Sequence, residues 1–121
     1  MIIVGCPGQG SQTEGFLASW LDEVPDFAQE LNKLSEACDL DLLRLGTTAT
    51  EDEIKDTAIA QPLIVGASIA AFRASFSQVN IQGVVGHSVG EFAAAAISGV
   101  LSDTDAISLV KIRGQAMARA A

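Results

Sequence analysis

Ser88 lies at the centre of a Gly-x-Ser-x-Gly motif that spans Gly86 to Gly90. The motif follows the largely apolar run 81–85 and precedes an alanine-rich segment, 91–97. A strand, a sharp turn and a helix in this order present a serine hydroxyl beside the free N–H groups of a helix N-terminus. The spacing therefore predicts Ser88 as a nucleophile, and the alternative is a glycine-rich turn without chemistry.

The residues next to Ser88 define what the motif requires and what it lacks. A side chain at Gly86 or Gly90 would crowd the strand and the helix, so we expect Ser88 to have a strained backbone. His87 is the only histidine of the chain. Successive residues at a turn seldom aim their side chains at each other, so we expect His87 to have a structural or site-lining role. A serine nucleophile needs a general base. An acid in a first helical turn is explained by the helix dipole, so Glu91 is not predicted to be that base.

A glycine-rich loop, Pro7 to Gly10, follows a short apolar segment at residues 1–6. Thr13 occupies the third glycine position of a dinucleotide fingerprint and no P-loop lysine follows, so the loop is not predicted to bind a nucleotide. It is either a tight turn or a means of presenting a backbone N–H, such as that of Gln9, to an anionic centre.

Arg113 is predicted to lie within the apolar face of the last helix. At about 100° per residue, six apolar positions fall within about 60° of it; they are Ala106, Leu109, Val110, Ala116, Met117 and Ala120. A guanidinium on a face that packs against the core needs a partner, because it stays charged. Either an internal carboxylate or the carboxylate of a ligand supplies that partner.

Charge and composition exclude several function classes. The chain has 121 residues, 49% of them hydrophobic, which is enough for one core. Its net charge is −8 and it lacks the basic face that nucleic acids require. Cys6 and Cys38 have neither metal-ligand spacing nor a disulfide framework, which predicts no metal site and a cytoplasmic protein with reduced thiols. No signal peptide is evident, and the run 92–101 is too short to span a membrane.

The remaining pattern predicts helices. Residues 11–45 have the spacing of amphipathic surface helices with a solvated acidic face. Thr50 is predicted to cap a helix that contains Glu53. A buried helix is predicted from Ala60 or Pro62 onwards, and Gln61 at its start either caps the turn or lines a site. The last helix reaches the final residue without a stop signal, so we expect the chain to be part of a longer protein.

Four motifs together resemble the malonyl-CoA:acyl carrier protein transacylases and the acyltransferase domains of polyketide and fatty-acid synthases. They are Pro7–Gln12, Ala60–Pro62, Gly86–Glu91 and Arg113–Gly114. The resemblance covers the whole chain. It implies an α/β fold, the N-terminal portion of an α/β-hydrolase-like acyltransferase core with parallel strands and flanking helices. Residues 1–121 would be one incomplete domain, truncated before a ferredoxin-like subdomain.

The resemblance also implies roles for individual residues. Ser88 would take a malonyl group from malonyl-CoA, a substrate rather than a bound cofactor, and pass it to the phosphopantetheine thiol of an acyl carrier protein. The backbone N–H groups of Gln9 and Val89 would form the oxyanion hole, and Arg113 would bind the malonyl carboxylate. Gln61 and His87 would line the substrate site. The general base would be a histidine outside these residues, so the isolated chain is expected to be inactive.

Two alternatives to a malonyl transferase remain at this stage. One is a serine esterase or lipase of the α/β-hydrolase type, against which Arg113 argues because a neutral ester needs no buried cation. The other is a non-catalytic fragment that binds a partner. Carrier proteins are usually acidic, as the resemblance implies, so docking to a chain of net charge −8 would need a local patch. That patch would lie around Lys111, Arg113 and Arg119, or elsewhere in the protein.

Overall fold

The computed structural model describes residues 1–121 and has an α/β fold, as predicted. Two parallel strands, β1 (Ile3–Cys6) and β2 (Gly83–Gly86), pair with Ile3 opposite Gly83 and Cys6 opposite Gly86. The sheet is flanked by helices, which are α1 (Ala18–Glu23), α2 (Phe27–Cys38), α3 (Leu42–Thr47), α4 (Glu51–Lys55), α5 (Thr57–Ser75), α6 (Gly90–Ile97) and α7 (Asp103–Ala120).

Helix α5 lies at the centre of the hydrophobic core and packs against α2, α6 and α7. The prediction of a buried helix is confirmed, but its start is earlier than predicted. The Asp56 carboxylate accepts the Ala58 N–H at 2.9 Å and caps the helix, which begins at Thr57. By length and composition α5 could cross a membrane, yet 61% of that window is buried inside the fold.

Pro62 therefore lies inside α5, although its sequence pattern predicted a place at the helix start. Proline has no N–H, so the carbonyl of Ala58 has no donor from the next turn of the helix. Gly114 of α7 approaches this turn, where an added Cβ would lie 3.1 Å from the Thr57 oxygen and 3.5 Å from the Ala58 oxygen. Because a glycine faces it, the first turn of α5 packs closely against the backbone of α7.

This close approach decides which face of α7 is buried. The buried residues are Ala106, Ile107, Val110 and Gly114. The predicted apolar face was wrong in part, since Leu109 and Met117 are each 44% exposed and Ala116 and Ala120 are also exposed. The buried face therefore combines the small residues Ala106 and Gly114 with Ile107 and Val110. Arg113 lies beside the buried face and is half-buried, not at its centre.

The acidic N-terminal helices cover the core as predicted, and polar contacts cap one helix and link three others. Helix α2 buries Phe27 and Leu31 among its apolar residues. The Thr50 hydroxyl accepts the Glu53 N–H at 3.3 Å, which confirms the predicted cap of α4. Arg73 of α5 donates to Asp103 of α7 at 2.9 Å and to the carbonyl of Ala96 in α6 at 3.1 Å. This guanidinium links three helices at one end of the core.

Candidate active site

The turn between β2 and α6 presents Ser88 in a strained conformation. Its φ is +54°, in the left-handed region that residues other than glycine rarely adopt. Gly90 and Glu91 donate to the carbonyls of His87 and Ser88, each at 3.0 Å, and these bonds close the turn. Ser88 is exposed, and its hydroxyl has no hydrogen-bond partner in the chain. The backbone therefore holds the side chain away from the sheet, as a nucleophile requires.

Two glycines make this turn sterically possible. A Cβ at Gly86 would lie 2.5 Å from the carbonyl oxygen of Gly90. A Cβ at Gly90 would lie 2.6 Å from the carbonyl oxygen of Pro7, and closer still to that of Cys6. The turn is thus packed against the end of β1, as its glycine spacing predicted.

The loop after β1 lies directly on the serine turn. A Cβ at Gly8 would lie 2.7 Å from both the carbonyl oxygen and Nδ1 of His87. The His87 N–H also donates to the Cys6 carbonyl at 3.0 Å, which extends the pairing of the two strands. His87 therefore packs on the loop and makes no hydrogen bond to Ser88, so it is not arranged as a base for that hydroxyl.

Hydrogen bonds from Gln9 and from the two residues after the loop fix the position of the loop. The Ser11 hydroxyl donates to the Gly8 carbonyl at 2.8 Å. Gln12 accepts the Gly10 N–H at 2.9 Å and donates to the carbonyl of Ile54 at 3.1 Å. In addition, Gln9 donates through its side chain to the Thr57 hydroxyl of α5 at 3.2 Å. The loop is thereby tied to the start of α5.

Two backbone donors lie unused at this junction. The N–H groups of Gln9 and Val89 donate to no acceptor in the chain. Val89 directly precedes the first residue of α6, where the helix dipole favours negative charge. Gln9 follows Gly8, which contacts His87. Paired N–H groups beside a nucleophile can stabilise the oxyanion of an acyl-transfer intermediate.

Arg113 reaches the same region from α7. Its Nη1 donates to Gln61 Oε1 at 2.8 Å, and its Cζ lies 5.8 Å from the centroid of the Phe92 ring on α6. The amide nitrogen of the same side chain, Gln61 Nε2, donates to Met117 Sδ at 3.2 Å. No acid of the chain pairs with Arg113. The internal carboxylate considered from the sequence is therefore absent.

Gln61 does not cap α5, since it lies one turn inside the helix and Asp56 is the cap. It is 0% exposed, and the other groups in contact with its amide are Arg113 and Met117. The interpretation of Gln61 as a cap is therefore wrong, and its place in the lining of a site stays a prediction.

The sequence analysis did not predict the position of Phe92. The aromatic residue interrupts an alanine-rich segment one helical turn after Ser88, and that spacing was the available signal. Arg113 therefore packs against a ring that lies one helical turn after Ser88. No group of three or more histidine, cysteine, aspartate or glutamate side chains is arranged to hold a metal ion.

Comparison with known families agrees with this geometry. The profile described as acyl transferase domain matches residues 5–121. The chain belongs to the acyl transferase family. A malonyl CoA-acyl carrier protein transacylase of Mycobacterium bovis is 51% identical over 124 aligned residues, which cover 99% of the chain and 41% of that protein.

Solved structures place the acyl transferase chain in the same group. The crystal structure of MCAT from Mycobacterium tuberculosis is 50% identical, with a TM-score of 0.89, and the match covers 99% of this chain and 41% of that one. A chain in the complex of a holo type II polyketide-synthase acyl-carrier protein with its malonyl-transacylase matches at 33% identity and a TM-score of 0.89. The match covers 99% of this chain and 40% of that one. The acyl transferase chain thus spans about two fifths of the length of these relatives.

Proposed function

We propose that the protein carrying this chain transfers malonyl from malonyl-CoA to the phosphopantetheine thiol of an acyl carrier protein, in fatty-acid or polyketide synthesis. The observation that carries the proposal is Arg113, a half-buried cation that packs on Phe92, one helical turn after Ser88, and that no acid of the chain neutralises. The carboxylate of a malonyl thioester would pair with it, whereas a neutral ester would not. This contrast, together with the family, favours malonyl transfer over the esterase alternative.

The reaction would proceed in two steps through an ester at Ser88. In the first, Ser88 Oγ attacks the thioester carbonyl carbon, loses its proton to a base, and the C–S bond breaks to release coenzyme A as the thiol. In the second, the phosphopantetheine thiol loses its proton to the base and attacks the ester carbonyl carbon, the bond between that carbon and Ser88 Oγ breaks, and Oγ takes the proton back. The N–H groups of Gln9 and Val89 would stabilise the oxyanion in both, each by about 3 to 4 kcal/mol.

The base for these steps would come from outside residues 1–121. His87 is the only histidine of the chain and makes no hydrogen bond to Ser88. A serine without a general base is a weak nucleophile. We therefore propose that these residues are one part of an acyltransferase domain and that the isolated chain transfers little or no malonyl to a carrier protein.

The carrier protein would approach near α7. Residues 1–56 carry a net charge of −9 and residues 57–121 a net charge of +1, so the N-terminal helices would repel an acidic partner. Arg113 is held against Gln61 and Phe92. Lys111 and Arg119 are therefore the two cations of α7 that remain for docking.

The test is intact mass measurement of the chain after incubation with malonyl-CoA. We expect slow formation of one covalent malonyl adduct, and none in Ser88→Ala. Ser77→Ala, which removes an exposed hydroxyl outside the site, should retain the adduct. No adduct on the folded chain would instead favour a non-catalytic fragment, and rapid transfer to a holo carrier protein would place the base within these residues.

A further inference from the structure

The aromatic ring of Phe92 is the contact that α6 makes with Arg113. Phe92 is half-buried and is the only aromatic residue of this helix. It lies one turn beyond Ser88, and the Arg113 guanidinium carbon is 5.8 Å from its ring centroid. A guanidinium at this distance is attracted by the negative charge of the ring face.

Two other arginines, Arg44 and Arg73, have carboxylate partners, which Arg113 lacks. Arg44 and Arg73 pair with Glu53 and Asp103, and these hydrogen bonds raise the pKa of both guanidinium groups. Carboxylates occupy the donors of those side chains and offset their charge. Arg113 has no such partner and donates one hydrogen bond to a neutral amide.

An aromatic ring holds a guanidinium in a different way from a carboxylate. It attracts the cation through its face, so it neither neutralises the charge nor occupies the N–H donors in the guanidinium plane. Gln61 fixes one of the five donors, and the ring restricts the orientation of the plane. Amide and ring together leave the other donors and the full charge for a ligand.

We propose that Phe92 is a positioning residue that holds the Arg113 guanidinium ready for the carboxylate of the acyl group. The inference deepens the proposed malonyl transfer and rests on it. Phe92 touches Arg113 rather than the reacting atoms. Its loss should therefore slow the acylation of Ser88 by acyl groups that carry a carboxylate more than acylation by uncharged acyl groups.

The contact can be tested without any substrate, by NMR of the arginine Nε–H groups. The chain has four arginines, Arg44, Arg73, Arg113 and Arg119, and Arg113→Lys identifies the resonance of interest. In Phe92→Leu we expect the Arg113 signal to lose its ring-current shift and its guanidinium to rotate faster, while Phe92→Tyr retains both properties. An Arg113 signal that is the same in Phe92→Leu would overturn the proposal.

A matched control exists in the same fold. The Arg73 carbon lies 5.6 Å from the Phe72 ring centroid, but Arg73 also pairs with Asp103. Phe72→Leu should lower the free energy of unfolding and leave the Arg113 resonance unchanged. Urea unfolding of each variant separates loss of stability from loss of the contact.

The consequence for selectivity is measured as the ratio of the rates at which malonyl-CoA and acetyl-CoA acylate Ser88. Phe92→Leu should lower this ratio by about 2- to 30-fold, the range of a cation–π contact. Phe92→Tyr should restore it and Phe72→Leu should not change it. Equal losses with both thioesters would indicate a merely structural role and overturn the proposal. If neither thioester acylates the native chain, the adduct expected under the proposed function is absent, and the NMR data alone decide whether Phe92 holds Arg113.

Discussion

Arg113 keeps a positive charge in a half-buried position without an acid to offset it. A buried cation without a counter-charge costs free energy, and such costs are retained where a ligand supplies the missing charge. Its amide partner, Gln61, is fully buried and is held in turn by Met117. At the scale of single residues, the site is thus built to hold a cation in one place.

Replacement of Arg113 by methionine should remove most of the preference for a carboxylate. A charge-assisted contact contributes about 1.5 to 3 kcal/mol, so the malonyl-to-acetyl ratio of Ser88 acylation should fall by about 10- to 100-fold. The rates follow from intact mass measurements at several times.

The control for this change is Arg119→Met, because Arg119 is an exposed arginine of the same helix. It should leave the ratio as it is. A drop of equal size for both thioesters in Arg113→Met would contradict the role of Arg113 in binding the carboxylate.

The elements of the site meet through glycines. Gly90 of α6 contacts the end of β1, and Gly8 of the following loop contacts His87 in the serine turn. These contacts pack the loop that contains Gln9 against the turn before α6. A methyl group at either glycine would separate the two parts of the proposed oxyanion hole, which are the N–H groups of Gln9 and Val89.

Gly90→Ala should therefore destabilise the chain. Its Cβ would overlap the carbonyl oxygens of Cys6 and Pro7, which belong to the backbone and have little room to move. Overpacking of this kind costs about 1 to 3 kcal/mol, which urea unfolding would record as a lower midpoint.

Gly5→Ala is the matched control within β1. No atom lies within 4 Å of a Cβ at this position, so its effect should stay within about 0.5 kcal/mol. Equal midpoints for the Gly90 and Gly5 variants would show that the turn and the strand do not pack as described.

At the scale of the whole molecule, two buried thiols make it possible to measure whether the chain unfolds cooperatively. Cys6 of β1 is 4% exposed and Cys38 of α2 is 1% exposed. Burial raises the pKa of both thiols, so they stay protonated and do not react as thiolates in the folded chain. One thiol lies in the sheet and the other in the helical layer, and both belong to the same core.

Iodoacetamide should therefore label neither cysteine until the chain unfolds. If residues 1–121 unfold as one unit, both thiols become reactive in the same urea range as the loss of helical circular dichroism. Mass spectrometry counts the labels at each urea concentration. Labelling of Cys6 at low urea, before that of Cys38, would show that the sheet opens separately from the helices.

Local patterns in the sequence were sufficient for the parts of the site that depend on neighbouring residues. The glycine spacing around Ser88 predicted a strained turn between a strand and a helix, and the φ of Ser88 confirms it. The cap at Thr50 and the buried character of α5 were likewise predictable. Turns, caps and helix periodicity arise from contacts within a few residues, so a single sequence carries them.

The contacts between distant elements were decided only by the tertiary structure. Gly114 lets α7 approach α5, and this packing buries only part of the face that the apolar pattern predicted. The same packing placed Arg113 against Gln61 and Phe92 instead of an acid. The sequence alone determined that the chain has a serine turn, a glycine-rich loop and an arginine on its last helix. Which groups contact that cation depends on how closely the helices pack. The sizes of residues far apart in the chain determine this packing, and local periodicity contains no information about it.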